Sequence, residues 1–175
     1  IHMRYRTLGA TGLTVSEIGF GGLGIGGVSA DMAYYGTADD SESLAALARA
    51  YDAGVTFYDT SPDYGNGHSE ELIGHAFRGM RERVVIASKV GFVSLSRPND
   101  EAAIRDSLVS ARIRQTIEGT LRRLRSDYLD LLQLHSPPLG VLRAMPEVFT
   151  VLGELKREGK IRSFGISLRA PQDGL

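Results

Sequence analysis

The sequence predicts an α/β fold built on a parallel sheet and, within that class, a (β/α)8 TIM barrel of which about five βα units are present. Three observations carry this. After an N-terminal hairpin, strand-like and helix-like segments alternate four times at the spacing of βα units, a pattern that produces a parallel sheet with right-handed crossovers. One strand segment, Val84 to Ala87, is apolar on consecutive residues, as expected of a strand covered on both faces. The pattern alone leaves a barrel and an open doubly wound sheet both in play. The polar residues separate them, because Asp59, Lys89, His135 and Ser167 each fall at the carboxyl end of a different consecutive strand. A ring of such groups on one rim is the barrel arrangement.

Taken in order, Ile1-His2-Met3 reads as a cloning remnant ahead of a start at Met3, with no signal peptide after it. Residues 4–175 read as one partial barrel domain. Arg4 to Val15 carries two short apolar runs about a Gly-Ala-Thr-Gly turn and predicts a hairpin. Glu17 to Phe20 reads as the first core strand, followed by a long Gly-rich loop. Asp39, Asp40 and Ser41 offer N-caps for a helix bearing Leu44, Leu47, Ala48 and Tyr51 on one face, ended by Gly54. Val55 to Tyr58 is the second strand and Glu70 to Phe77 the second helix. Val84 to Ala87 is the third strand, terminating at Ser88-Lys89, and Ser94 to Ser107 reads as the longest structureless segment. A third helix carries Ile113, Ile117, Leu121 and Leu124. Tyr128 to Leu134 is the fourth strand, closed by Pro137-Pro138. Pro146 suits the first turn of a helix with Val148, Val151, Leu152 and Leu155, Gly159 lies just past it, and Ile161 to Ile166 is the fifth strand.

Composition narrows the function classes. The 20 basic and 21 acidic residues leave a net charge of −1, with no general pull toward nucleic acid or an anionic membrane. No apolar stretch is long enough to span a bilayer, and a cytoplasmic location fits best. The absence of cysteine excludes disulfides and thiolate chemistry. No metal site is expected, since His68, His75 and His135 show no ligand spacing with acidic residues.

The chemistry hangs from Phe57 to Glu71, FYDTSPDYGNGHSEE, a strand running into a Gly-rich turn and then a helix start. Asp59 and Tyr64 lie in it. Together with Lys89, His135 and Ser167 they belong to five ordered blocks: Arg6 to Gly22, Ala53 to Gly74, Val84 to Gly91, Leu121 to Pro137 and Lys156 to Ser167. These blocks resemble the aldo-keto reductase family over nearly the whole chain. The resemblance implies NADPH-dependent reduction of an aldehyde or ketone to an alcohol, or the reverse, with NAD(H) as the other candidate cofactor and a small carbonyl or sugar-like substrate.

The resemblance also assigns roles. Tyr64 would be the general acid; a free phenol, with a pKa of about 10, is a poor acid near neutrality, and the Lys89 ammonium would stabilise its phenolate. Asp59 would hold Lys89, and His135 would donate a hydrogen bond to the carbonyl oxygen. Ser167 matches the serine that binds the nicotinamide carboxamide, while Gly21 and Gly22 border the cofactor cleft beside Asp59. Tyr34, Tyr35 and Phe92 are expected on the substrate wall. Gly22 to Gly27 also matches G-x-G-x-x-G, but the third glycine should already lie in a helix and Val28 to Thr37 reads as loop, so a Rossmann site is rejected.

Two departures matter. Leu168 stands where many members of the family carry asparagine, and the chain supports five strands where a full barrel has eight in about 250 residues. An open sheet exposes an apolar face and a strand edge, so the expectation is a fragment of a longer enzyme that binds cofactor weakly, with pairing of copies over the open face as an alternative. A non-catalytic regulatory subunit of the same fold is the rival function.

Overall fold

The computed structural model describes residues 2–28, 36–91 and 100–168. Strands β1 (Tyr5–Thr7) and β2 (Thr14–Ser16) form the antiparallel hairpin. Five parallel strands follow in sequential spatial order: β3 (Gly19–Gly21), β4 (Phe57–Asp59), β5 (Val85–Val90), β6 (Leu129–His135) and β7 (Ile161–Ser167). Sequential order with every neighbour parallel is the barrel topology, and the doubly wound alternative is excluded because its strand order would reverse. The barrel is not closed among the described residues, whose sheet has β3 and β7 as its edges.

Helices α1 (Asp40–Asp52), α2 (His68–Ala76), α4 (Ser110–Leu124) and α6 (Glu147–Arg157) cover the outer face of the sheet. Helices α4 and α6 bury the stripes that their periodicity assigned, whereas of the α1 stripe only Leu47 is buried, Leu44 and Tyr51 are partly so and Ala48 is exposed. Ile113, Ile117, Leu121 and Leu124 of α4 are buried, as are Val148, Val151, Leu152 and Leu155 of α6. They pack on Tyr58, Ile86, Leu132 and Leu134, the outward members of their strands. Asp39 caps α1 by accepting from the Glu42 amide at 3.0 Å. The hairpin sits at the amino-terminal ends of the strands, where Ser16 and Thr56 exchange two backbone-to-hydroxyl bonds of 2.9 Å and the Tyr5 hydroxyl donates to the Gly54 carbonyl. It therefore leaves the opposite rim clear.

Several boundaries differ from expectation. The first core strand is Gly19–Gly21 rather than Glu17 to Phe20. Strand β5 runs from Val85 to Val90, one residue past the expected terminus at Ser88-Lys89, so Lys89 is held by the ladder itself. Helix α2 starts at His68, two residues early, and Pro146 occupies the N-cap of α6. Residues 101–107, expected to lack structure, form helix α3 (Glu101–Ser107). Its determinants are local: Asp100 accepts from the Ala103 amide at 3.0 Å, Glu101 pairs with Arg105 one turn on, and Ile104 is buried. The short helix α5 (Leu139–Arg143), which follows Pro138, was not foreseen. Among the described residues no helix is long and apolar enough to cross a membrane.

Candidate active site

Side chains alternate across a strand, and the ladder register therefore decides which of them share the inner face. Gly21, Asp59, Ala87, Leu131 and Ser163 stand level across the five strands. One step higher are Lys89, Gln133 and Gly165, and above them His135 and Ser167. Asp59, Lys89, His135 and Ser167 thus rise on one face toward the carboxyl rim. Tyr64 arrives from the loop between β4 and α2.

Lys89 is the hub. It is only 4% exposed, and its ammonium donates to Asp59 Oδ1 at 2.5 Å, to the Thr60 carbonyl at 2.8 Å and to the Tyr64 hydroxyl oxygen at 3.1 Å. An ammonium has three donors, and all three are engaged. Such a nearly buried cation is tolerable because every donor has an acceptor and one of them is a carboxylate. The other Asp59 oxygen accepts from Gln133 Nε2 at 3.0 Å, which fixes the carboxylate from both sides.

Tyr64 is placed by glycines. Gly65 has φ +63°, and a Cβ there would fall 1.9 Å from the Gly26 carbonyl oxygen; a Cβ on Gly26 would in turn meet the Tyr64 carbonyl carbon at 2.8 Å. Only backbone without side chains lets the Gly-rich loop and the Tyr64 loop approach this closely. Gly24–Gly26 forms a single 3-10 turn and the next described helix begins at Asp40, so the rejected G-x-G-x-x-G reading stays rejected. Of the two glycines expected at the cleft, Gly21 has open space where a Cβ would project. Gly22 is tightly packed: its amide donates to the Asp59 carbonyl at 2.7 Å, its carbonyl accepts from Ser69, and a Cβ would lie 2.6 Å from Ser69 Oγ.

His135 is nearly buried, its ring edge-on to Tyr64 with centroids 6.2 Å apart. Its Nδ1 lies 3.3 Å from Asp63 Oδ2 and 3.4 Å from Ser61 Oγ. Asp63, Ser61 and Gln133 were missed by the sequence reading. The two loop residues could have been found from their places in the T-S-P-D-Y run beside Tyr64; Gln133 could have been found from its alternation with His135. Serine and carboxylate meet the same ring nitrogen here, whereas a nucleophilic triad needs them on opposite nitrogens. Tyr34, Tyr35 and Phe92 lie outside the described residues. Among the described residues no group of three His, Asp or Glu could hold a metal ion.

The aldo/keto reductase family model matches residues 17–172. The aldo-keto reductase YhdN of Bacillus subtilis is 36% identical over 94% of this chain and 47% of its own length. The NADH-specific methylglyoxal reductase of Escherichia coli is 34% identical over 93% of this chain and 51% of its own. Among solved structures, the holo form of aldo-keto reductase AKR11C1 from Bacillus halodurans superposes with a TM-score of 0.78 at 31% identity, covering 97% of this chain and 52% of that one. An aldo/keto reductase from Klebsiella pneumoniae in complex with NADP and acetate gives 0.67 at 32% identity, over 93% and 49%. The chain thus spans about half the length of the relatives it matches, and it belongs to the aldo-keto reductase family.

Proposed function

We propose that the protein to which this chain belongs reduces a small aldehyde or ketone, sugar-like carbonyls included, with NADP(H). The observation that carries this reading is the Lys89 ammonium, which bridges the Asp59 carboxylate and the Tyr64 hydroxyl. A reduced nicotinamide, when bound, supplies a hydride to the carbonyl carbon. Tyr64 gives the proton to the carbonyl oxygen, and the phenolate left behind is stabilised by Lys89, whose own charge is balanced by Asp59. His135, whose ring stands edge-on to Tyr64, would orient the carbonyl oxygen.

The rim suits the cofactor on its own chemistry. Gly21 leaves the inner row bare beside Asp59, and Ser167 brings a hydroxyl level with His135, where it would hold the nicotinamide carboxamide. Leu168, 40% exposed next to it, offers no amide. NADP(H) is favoured by the NADP-bound Klebsiella relative, although the Escherichia coli relative is NADH-specific by name, so the assay is run with both cofactors.

The test is Tyr64→Phe in the full-length protein, assayed by cofactor oxidation against a panel of aldehydes and ketones. Turnover is expected to fall by roughly two orders of magnitude or more while cofactor affinity is kept. Unchanged turnover would remove Tyr64 as the acid and favour the regulatory-subunit alternative.

A further inference from the structure

Glu70 stands in the first turn of α2, yet its side chain is fully buried. One carboxylate oxygen accepts from the Ser88 hydroxyl at 2.6 Å, the other from Arg123 Nε of α4 at 2.6 Å. A carboxylate wholly out of water is tolerable only with partners of this kind. Arg123 reaches it between glycines: a Cβ on Gly67 would fall 2.5 Å from Arg123 Cδ, and one on Gly119 3.1 Å from Nη1. Gly67, with φ +94°, is the residue from which α2 starts. The proposed reaction uses none of these groups, but Ser88 is the direct neighbour of Lys89. Three successive residues of β5 thus hold the two ends of the Tyr64 loop. The Ala87 carbonyl accepts from the Thr60 amide at 2.8 Å. Ser88, level with Leu132, turns outward to the helices and donates to Glu70. Lys89 turns inward and donates to the Thr60 carbonyl and the Tyr64 hydroxyl.

From this arrangement, and resting on the reductase reading above, we infer that Glu70, fixed by Arg123, is a positioning residue that ties the start of α2 to Ser88 and so sets the Tyr64 hydroxyl against the Lys89 ammonium. The effect is mechanical. Glu70 is hydrogen-bonded to neither Tyr64 nor Lys89; its partners are Ser88 and Arg123. The Thr60 end of the loop is held by the ladder, whereas the α2 end is held to β5 through this carboxylate. Arg123 keeps the carboxylate aimed, because its own path is fixed by the bare backbone of Gly67 and Gly119. A misplacement of about 1 Å at a reacting group is enough to cost up to about a hundredfold in rate, so a tether one residue from Lys89 acts on turnover from outside the cleft.

The experiment uses Ser88→Ala and Glu70→Gln in the full-length protein. Ser88→Ala removes the tether and leaves the Glu70–Arg123 pair in place; Glu70→Gln weakens both contacts, and if it does not fold, Ser88→Ala decides alone. By hydrogen exchange and mass spectrometry, the amides of residues 61–69 should exchange roughly tenfold faster in Ser88→Ala, as the loss of one hydrogen bond from a locally opening segment requires, while those of β6 keep their rates. In kinetics, kcat for reduction should fall roughly tenfold or more with KM for cofactor and carbonyl unchanged. Combined with Tyr64→Phe, the same Ser88→Ala change should cost less than about twofold, because the contact it positions is already gone. Unchanged exchange over 61–69, acceleration spread equally to β6, or the same fold-loss in kcat with and without Tyr64→Phe would overturn the inference. The exchange is read without turnover, so the tether fails or holds independently of the Tyr64→Phe result.

Discussion

Two carboxylate–cation clusters stand at opposite ends of the strands, one around Asp130 and one around Asp59, and only the second belongs to the site proposed above. Near the amino-terminal end of β6, Asp130 is fully buried and accepts from the Ile86 amide at 2.9 Å, from Arg81 at 2.6 Å and from Arg162 at 2.9 Å. Arg81 also donates to the Val84 and Tyr128 carbonyls, and both guanidinium groups lie about 4 Å from the Tyr128 ring centroid, at 4.2 and 4.1 Å. Asp130 and Arg81 in that cluster are spent on other protein groups, with Arg162 covering them from the surface. At the opposite rim Asp59 keeps 30% of its side chain exposed, and Lys89 hands its third donor to the Tyr64 hydroxyl. A buried ion pair is thus no mark of function by itself. On the function proposed above, what marks the rim is that the pair ends on the Tyr64 hydroxyl, which would give its proton to a bound carbonyl.

Tyr58 and Tyr64 repeat the contrast within seven residues of chain. Tyr58 lies on the outer face of β4 beneath the helices, with its hydroxyl donating to the Val55 carbonyl. Burial pushes its phenol far above the ordinary range, because an anion there would have no solvent and no cation. Tyr64, by comparison, has the Lys89 ammonium both on its oxygen and 4.8 Å from its ring centroid.

The largest effect is expected of Lys89→Met. It should lower turnover of the full-length protein by about two to four orders of magnitude, yet cost little stability, because the abandoned Asp59 still reaches water and Gln133. An unfolding free energy that drops as far as the activity would show that Lys89 serves structure instead. Asp130→Ala should do the reverse. It strands Arg81 in a closed site and is expected to cost about 3–5 kcal/mol in urea unfolding, with kcat of the folded fraction unchanged; a loss below about 1 kcal/mol would contradict the locking role.

A weaker ion pair lies at the surface. His68 Nε2 meets Asp40 at 2.7 Å and Nδ1 approaches Glu71 at 3.6 Å, joining the first turns of α1 and α2. The Asp40 hydrogen bond, opposed by modest burial, holds the imidazole above its ordinary value. A raised folded value means that the pair stabilises fully below about 6.5, the unfolded value, and that this contribution disappears as pH climbs through the folded value. The side chain is 37% exposed, so screening limits the effect to under about 1 kcal/mol. Unfolding midpoints of the protein and of His68→Gln should differ below that window and converge above it; parallel curves would remove the pair from the account.

Legibility followed the range of the interactions. The alternation, the helix stripes and the five ordered blocks were readable because each rests on residues near one another in sequence. Helix α3 was misread because the polar run before it masked a local cap and an i, i+4 pair that were both present. Asp59, Lys89, His135 and Ser167 were found because strand ends are visible in one dimension. Gln133 and Asp63 were not, because Gln133 reaches across 74 positions to Asp59 and Asp63 across 72 to His135.

The sequence by itself determined the fold class, the family and which side chains could carry the chemistry, because composition, periodicity and motif order are properties of the chain alone. The tertiary structure alone decided that Lys89 touches Tyr64 as well as Asp59, that Gly65 must pass within contact of Gly26, and that a carboxylate stands on Nδ1 of His135. These are matters of register and of distances near 3 Å between residues far apart in the chain, and they exist only once the strands have paired.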